Sequence, residues 1–192
     1  MRRLLSAGIL LAAAVVSSAQ TQRPKSMSMP EAREGAGAEA LTQLRGLAGE
    51  WEGSFEWTGA RTATGKVNAT YSETGNGSAV VENLSMDGVP AMTSVYHIDG
   101  ADLRLTHFCA AQNQPRLKAS KIDVAKGLLD FEFVDATNLP SPDAPHVYGL
   151  EMRMITADHI TLAFLFEGGG KRSKEFIDLK RLAHAASAQI AK

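Results

Sequence analysis

The stretch Gly49-Glu50-Trp51-Glu52-Gly53-Ser54-Phe55-Glu56-Trp57 decides the fold, because aromatic and small residues alternate in it with charged and polar ones. An alternation of period two is typical of a β-strand that buries one face. The same alternation recurs along the chain after this stretch. Glycine-containing turns, such as Thr74-Gly75-Asn76-Gly77 and Asp99-Gly100, separate the alternating segments.

Outward from this stretch we predict about ten short strands and almost no helix. The predicted strands are residues 51–57, 66–71, 79–85, 91–99, 102–110, 116–123, 127–135, 146–155, 159–167 and 174–181. Short connections between many strands favour neighbours that run up and down, and closing such a sheet removes its exposed edges. We therefore expect an all-β fold, a single antiparallel up-and-down β-barrel of about ten strands with a short N-terminal helix at residues 39–44. A barrel of this size has room for one small ligand.

Composition limits the classes of partner. The chain has 192 residues and a formal net charge of −1, which indicates one domain with appendages. The nearly balanced charge and the lack of a Lys/Arg cluster argue against binding to nucleic acid. Cys109 is the single cysteine, which excludes an intramolecular disulfide and a multi-cysteine metal site, and we predict no metal.

The N-terminus has the pattern of a signal peptide. Arg2 and Arg3 precede the apolar segment 4–16, and Ser17-Ser18-Ala19 supplies small residues for cleavage. We predict a signal peptide at 1–19 and therefore a periplasmic or secreted protein with no stable membrane insertion after cleavage. The predicted domain organisation continues with a flexible leader at 20–38, the barrel domain at 39–182 and a C-terminal tail at 183–192.

A short helix followed by Gly49-Glu50-Trp51 at the start of the first strand resembles the calycin group. That group comprises lipocalins, fatty-acid-binding proteins and nitrobindin-like haem barrels. The resemblance implies that Arg181, at the end of the last strand, packs over Trp51. Residues 106–116, Thr-His-Phe-Cys-Ala-Ala-Gln-Asn-Gln-Pro-Arg, look like a signature of an uncharacterised bacterial family of exported barrels. Nitrobindin-like proteins carry their haem-ligating histidine on the last strand, whereas residues 174–181 contain no histidine here.

The predicted hairpin around Gly100 supplies the sharpest site hypothesis. If Ile98 lies opposite Leu103, the next pairs are Tyr96 with Leu105, Ser94 with His107, and Met92 with Cys109. This face is largely apolar, so we expect it to line the barrel interior. His97, Arg104, Thr106 and Phe108 should then point outward.

An inward His107 close to an inward Cys109 predicts a polar anchor within a protected cavity. We predict a binding protein for a small apolar or amphiphilic molecule, such as a fatty acid. The predicted ligand-binding residues are His107, Tyr96, Cys109, Ser94, Met92, Phe131, Phe133 and His146. His146 begins a strand and could approach His107 across the cavity. We interpret Cys109 as a small buried apolar residue rather than a nucleophile.

Other interpretations of the same residues stay open. His107 can be a structural histidine that Tyr96, Ser94 or a backbone group satisfies. It can also ligate a haem, the one cofactor that the sequence suggests. An enzyme using His107 and Tyr96 as an acid–base pair is a further alternative, although no spacing demands catalysis and we predict no catalytic residue.

Overall fold

A computed structural model describes residues 35–183. The predicted signal peptide, most of the predicted leader and most of the C-terminal tail lie outside the described residues. The helix is α1 (Ala36–Arg45) and the strands are β1 (Gly49–Gly59), β2 (Ala63–Thr74), β3 (Ala79–Met86), β4 (Val89–Asp99), β5 (Asp102–Phe108), β6 (Gln114–Asp123), β7 (Leu128–Thr137), β8 (His146–Thr156), β9 (His159–Gly168) and β10 (Lys171–Arg181). A short 3-10 helix, Val124–Lys126, joins β6 to β7.

The ten strands form a closed antiparallel barrel in which each strand pairs with its neighbours in sequence and β10 closes onto β1. This confirms the predicted all-β up-and-down barrel. The closing pair has Trp51 opposite Arg181 and Trp57 opposite Glu175. Gly53 lies between them, and a Cβ there would stand 1.8 Å from the carbonyl oxygen of Asp178, so only glycine permits this approach of β1 to β10.

The predicted register of the β4–β5 hairpin is confirmed for three of its four pairs, whereas the ladder ends at Thr93 and Phe108, before the predicted pair of Met92 with Cys109. Ile98 pairs with Leu103, Tyr96 with Leu105 and Ser94 with His107. His107 is completely buried, whereas Phe108, the next residue, is exposed. The imidazole therefore lies on the enclosed side of the sheet, as the strand alternation predicts.

Helix α1 closes one end of the barrel. Its apolar face buries Ala40, Leu41 and Leu44 in the barrel core. The helix begins at Ala36, three residues before the predicted start. Gly37 permits this earlier start, because a Cβ there would lie 2.6 Å from the carbonyl oxygen of Ala101 in the β4–β5 turn.

The predicted pairing of Arg181 with Trp51 is present at the same end. The Arg181 guanidinium lies 4.3 Å from the centre of the Trp51 ring. It also donates hydrogen bonds to the carbonyl oxygens of Gly46 (2.8 Å) and Ala48 (2.7 Å), just after α1. Arg181 thus ties the end of β10 to the segment that leads from α1 into β1.

Candidate ligand-binding site

The barrel end opposite α1 opens into a cavity of about 630 Å³. Ligand pockets in proteins usually measure about 300–1,000 Å³, so the cavity could hold a small organic molecule. Most of the lining is apolar, and charged side chains lie mainly towards the rim. The lining residues are Trp57, Ala60, Arg61, Met86, Ala91, Met92, Cys109, Ala110, Ala111, Pro145, Phe166, Glu167, Gly168, Lys171, Ser173 and Glu175.

Two of the predicted ligand-binding residues, Met92 and Cys109, line this cavity. Both side chains are buried, at 7% and 8% exposure. Burial raises the pKa of the Cys109 thiol, while the Ala111 N–H, whose nitrogen is 3.4 Å from Sγ, opposes that rise. A thiol with a raised pKa stays protonated near neutral pH and is a poor nucleophile, which agrees with the apolar role assigned to Cys109.

Glu175 is a buried carboxyl group that lines the same cavity. It is only 2% exposed, and its Oε2 atom has no hydrogen-bond partner among the described residues. Burial raises its pKa to about 7, against the opposing effects of a hydrogen bond from Trp57 and the charge of Arg61. A carboxyl group held in this state within a cavity is a characteristic feature of binding and catalytic sites.

Arg61 and Trp57 form the polar edge of the cavity next to Glu175. The Arg61 guanidinium carbon lies 4.1 Å from the centre of the Trp57 ring, a cation–π contact. Arg61 itself is exposed, whereas Trp57 is 6% exposed. Trp57 therefore contacts the exposed Arg61 and also lines the cavity.

A second polar cluster lies deeper in the barrel and is centred on Glu82. Tyr71 Oη donates a 2.6 Å hydrogen bond to Glu82 Oε2, and Tyr96 Oη donates a 3.0 Å hydrogen bond to the same oxygen. Burial raises the pKa of Glu82, and its hydrogen bonds with Tyr71, Tyr96 and Ser94 oppose the rise. The Oε1 atom of this fully buried side chain has no partner among the described residues.

His107 lies beside this cluster on β5, two residues before Cys109 in the chain. Its Nδ1 atom is 3.0 Å from Ser94 Oγ, and its ring centre is 4.8 Å from that of Phe164. Burial lowers its pKa to about 3, so the imidazole is neutral at physiological pH. Nε2 has no partner within residues 35–183.

No direct hydrogen bond joins Tyr96 to His107 within residues 35–183. Tyr96 bonds to Glu82, and His107 bonds to Ser94. Burial raises the pKa of Tyr96 well above its usual value and lowers that of His107, so each group is held in its neutral form near pH 7. These shifts move both groups away from the pKa range that proton transfer at neutral pH requires.

The remaining predicted residues occupy other parts of the interior. Phe131 packs on Tyr96 with ring centres 5.9 Å apart. Phe133 and His146 pack on each other at 4.9 Å, and His146 Nδ1 lies 2.8 Å from the carbonyl oxygen of Ala144. His107 packs on Phe164 instead, and within residues 35–183 no hydrogen bond or ring contact joins the two imidazoles.

The rim of the cavity is held by hydrogen bonds between three loops. Asn113 Nδ2 donates to the Pro145 carbonyl oxygen at 2.8 Å, and Asn138 Nδ2 donates to that of Gln112. The Gly169 N–H donates to the Asp143 carbonyl oxygen at 2.8 Å. The loops after β5, β7 and β9 therefore support one another around the opening.

Glu175, Glu82 and Arg61 are the residues that the sequence analysis missed. A signal for the two carboxylates was present, because each occupies an inward position of an alternating strand. Glu175 precedes Ile177 and Leu179, and Glu82 lies between Val80 and Leu84. A charged residue at a position where its strand is otherwise apolar indicates a specific role for that charge.

Between residues 35 and 183, no group of three His, Cys, Asp or Glu side chains could hold a metal ion. In that same part of the chain, none of the helices has the length and apolar character needed to cross a bilayer.

Comparison with known proteins identifies the fold class. The barrel resembles Rv2717c from M. tuberculosis, with a TM-score of 0.52 and 16% identity over 75% of this chain and 98% of that one. It also resembles a protein of unknown function from the DUF3598 family of Nostoc punctiforme, with a TM-score of 0.50 and 14% identity over 72% of this chain. The match spans about half, 49%, of the Nostoc chain. Closure, strand order and these likenesses define a calycin-like barrel.

No family model and no curated protein matches the sequence. The assignment of residues 106–116 to a family of exported barrels therefore stays a prediction.

Proposed function

We propose that this protein is an exported binding protein that holds a small apolar or amphiphilic molecule in the cavity at the open end of its barrel. The cavity of about 630 Å³ carries the proposal, because its walls are mainly apolar and polar groups are few. Met86, Met92 and Phe166 provide adaptable apolar contacts. The signal-peptide pattern at residues 1–19 supports export.

Filling the cavity tests the proposal. Ala91 lines the cavity and is half-buried, so Ala91→Trp should occupy ligand volume. We expect saturable binding of a fluorescent fatty-acid probe to the purified, delipidated protein, and at least about tenfold weaker binding to Ala91→Trp. Ala125→Trp is the matched control, because Ala125 is exposed in the 3-10 helix near the closed end. Circular dichroism and thermal melting establish that both variants fold.

Absence of saturable binding to the original protein would overturn the proposal. Equal binding to Ala91→Trp and Ala125→Trp would place the probe elsewhere and contradict the assigned cavity.

Haem bound through His107 is a second candidate, and the buried, unpartnered Nε2 atom is the observation that favours it. His107 is not among the residues that line the cavity, so haem would need space beside Nε2 that the cavity does not provide. Titration with haemin separates the candidates. A Soret shift in the original protein that is lost in His107→Ala would favour haem, whereas the amphiphile proposal predicts no shift that depends on His107.

A further inference from the structure

We infer that the polar group of the ligand is a cationic hydrogen-bond donor, an alkylammonium group, and that the Glu175 carboxylate binds it. The inference rests on the proposed function, since it assigns a head group to the amphiphile in the same cavity. It differs from the fatty-acid expectation, which would place a carboxylate there.

The position of Glu175 is the first argument. Its side chain lines the cavity and is 2% exposed, so a ligand that fills the cavity meets this carboxyl group away from bulk water. On β1 the opposite residue is Trp57, which donates a hydrogen bond to the carboxylate. On β9 the opposite residue is Phe164, which offers no donor.

The unpartnered oxygen is the second argument. Glu175 Oε2 is buried and lacks a hydrogen-bond partner among residues 35–183. Burying such an atom without a partner is costly, and a donor on the ligand would remove that cost. A charge-assisted hydrogen bond from an ammonium group would be the strongest form of this contact.

The surrounding charges are the third argument. The titratable groups that line the cavity with Glu175 are Arg61, Cys109, Glu167 and Lys171. Arg61 and Lys171 are exposed, so water and salt screen their repulsion of a ligand cation. Glu167 is paired with Arg172 at 3.1 Å, and the Cys109 thiol is neutral because burial raises its pKa. Glu175 is therefore the buried charge that a ligand head group would meet.

Like charge disfavours the alternative head group. A fatty-acid carboxylate next to an ionised Glu175 would be repelled in a region of low dielectric, unless one of the two groups took up a proton. An alcohol would satisfy Oε2 without gaining the charge interaction. The expected order of affinity at pH 8 is therefore alkylamine, alcohol, carboxylate.

A matched series of ligands tests the inference. Dodecylamine, dodecanol and dodecanoate share one chain length and differ in the head group, and each is titrated calorimetrically below its micelle concentration. We expect dodecylamine to bind most tightly at pH 8, and Glu175→Gln to weaken it by at least about tenfold while dodecanol changes less than about threefold. Glu56→Gln is the control, because Glu56 is an exposed carboxylate on β1, next to Trp57 in the chain, and does not line the cavity. It should leave all three affinities unchanged.

The pH profile provides a second readout. The pKa of Glu175 is about 7, so the carboxylate is mostly protonated at pH 6 and mostly ionised at pH 8. An alkylamine stays protonated throughout, so its affinity should rise about tenfold over this interval, and the rise should be absent in Glu175→Gln. The profile of the original protein decides the matter even if the variant fails to fold.

Three outcomes are distinguishable. The expected order of affinities with loss in Glu175→Gln alone supports the inference. Dodecanol binding with dodecanoate equal to or tighter than dodecylamine, or with Glu175→Gln unchanged, overturns the inference and leaves the proposed function standing. Failure of all three ligands to bind overturns both.

Discussion

At the scale of single residues, burial controls the charge of the polar groups inside the barrel. Burial raises the pKa of Glu82 and Glu175, because it disfavours a carboxylate, and lowers that of His107, because it disfavours an imidazolium. All three shifts favour the neutral form. Burial therefore opposes ionisation in the interior, although Glu175, with a pKa of about 7, still ionises as the pH rises from 6 to 8.

His107 should weaken the folded state in acid. Its folded pKa of about 3 lies below the ordinary value of 6.5, so its contribution to stability is complete above pH 6.5 and is lost as the pH falls below that value. At pH 5 the loss is about 2 kcal/mol relative to pH 8. His107→Gln lacks this titration, so the stability difference between the original protein and the variant should shift by that amount in favour of the variant.

Denaturant unfolding of both proteins at pH 8 and pH 5 measures this shift. The titrations of Glu82 and Glu175 run in the opposite direction, but they are common to both proteins and cancel in the difference. A difference that stays constant between the two pH values would show that His107 is not held neutral by burial.

At the scale of elements, the closed end depends on one side chain that joins three segments. Arg181, from the end of β10, stacks on Trp51 of β1 and bonds to the carbonyl oxygens that follow α1. It also pairs with Asp158, in the turn between β8 and β9, at 3.0 Å. The planar guanidinium serves all of these contacts at once, which a lysine ammonium cannot do.

Arg181→Lys should therefore destabilise the barrel while keeping the charge. We expect a loss of about 1–3 kcal/mol in the free energy of unfolding, from lost hydrogen bonds and lost stacking. Lys180→Ala, at the exposed neighbouring position, should change the same quantity by less than about 0.5 kcal/mol. Denaturant unfolding at neutral pH checks both values, and equal stability of the two variants would refute the bracing role of Arg181.

At the scale of the whole molecule, the two ends of the barrel differ. Helix α1 closes one end, and the cavity opens at the other between loops that hydrogen-bond to one another. Arg61 and Pro145 lie on connections at the open end, where Lys171 begins β10. A ligand can enter the cavity at this end and leave the opposite end, which α1 and Arg181 hold closed, undisturbed.

Export is the prediction that concerns the complete chain. The small residues 17–19 should be followed by cleavage, because signal peptidases require small side chains before the cut. The mass of the protein recovered from the periplasm or the medium of an expressing bacterium should then correspond to a chain beginning at Gln20. Recovery of the intact 192-residue chain from the cell interior alone would contradict export.

The sequence by itself determined the strands, their alternation and the enclosed side of the central hairpin, since the pleat of a strand ties each side chain to one face. All ten predicted strands are present, and His107 is buried as the alternation requires. Only the tertiary structure decided which inward residues border the cavity. Trp57, Cys109 and Glu175 belong to segments far apart in the chain, and they meet because β10 closes onto β1 in one register and α1 occupies the other end. Local periodicity carries no information about the register of that closure or about which end α1 occupies. The sequence therefore pointed to His107 as the polar anchor, whereas the cavity presents Glu175.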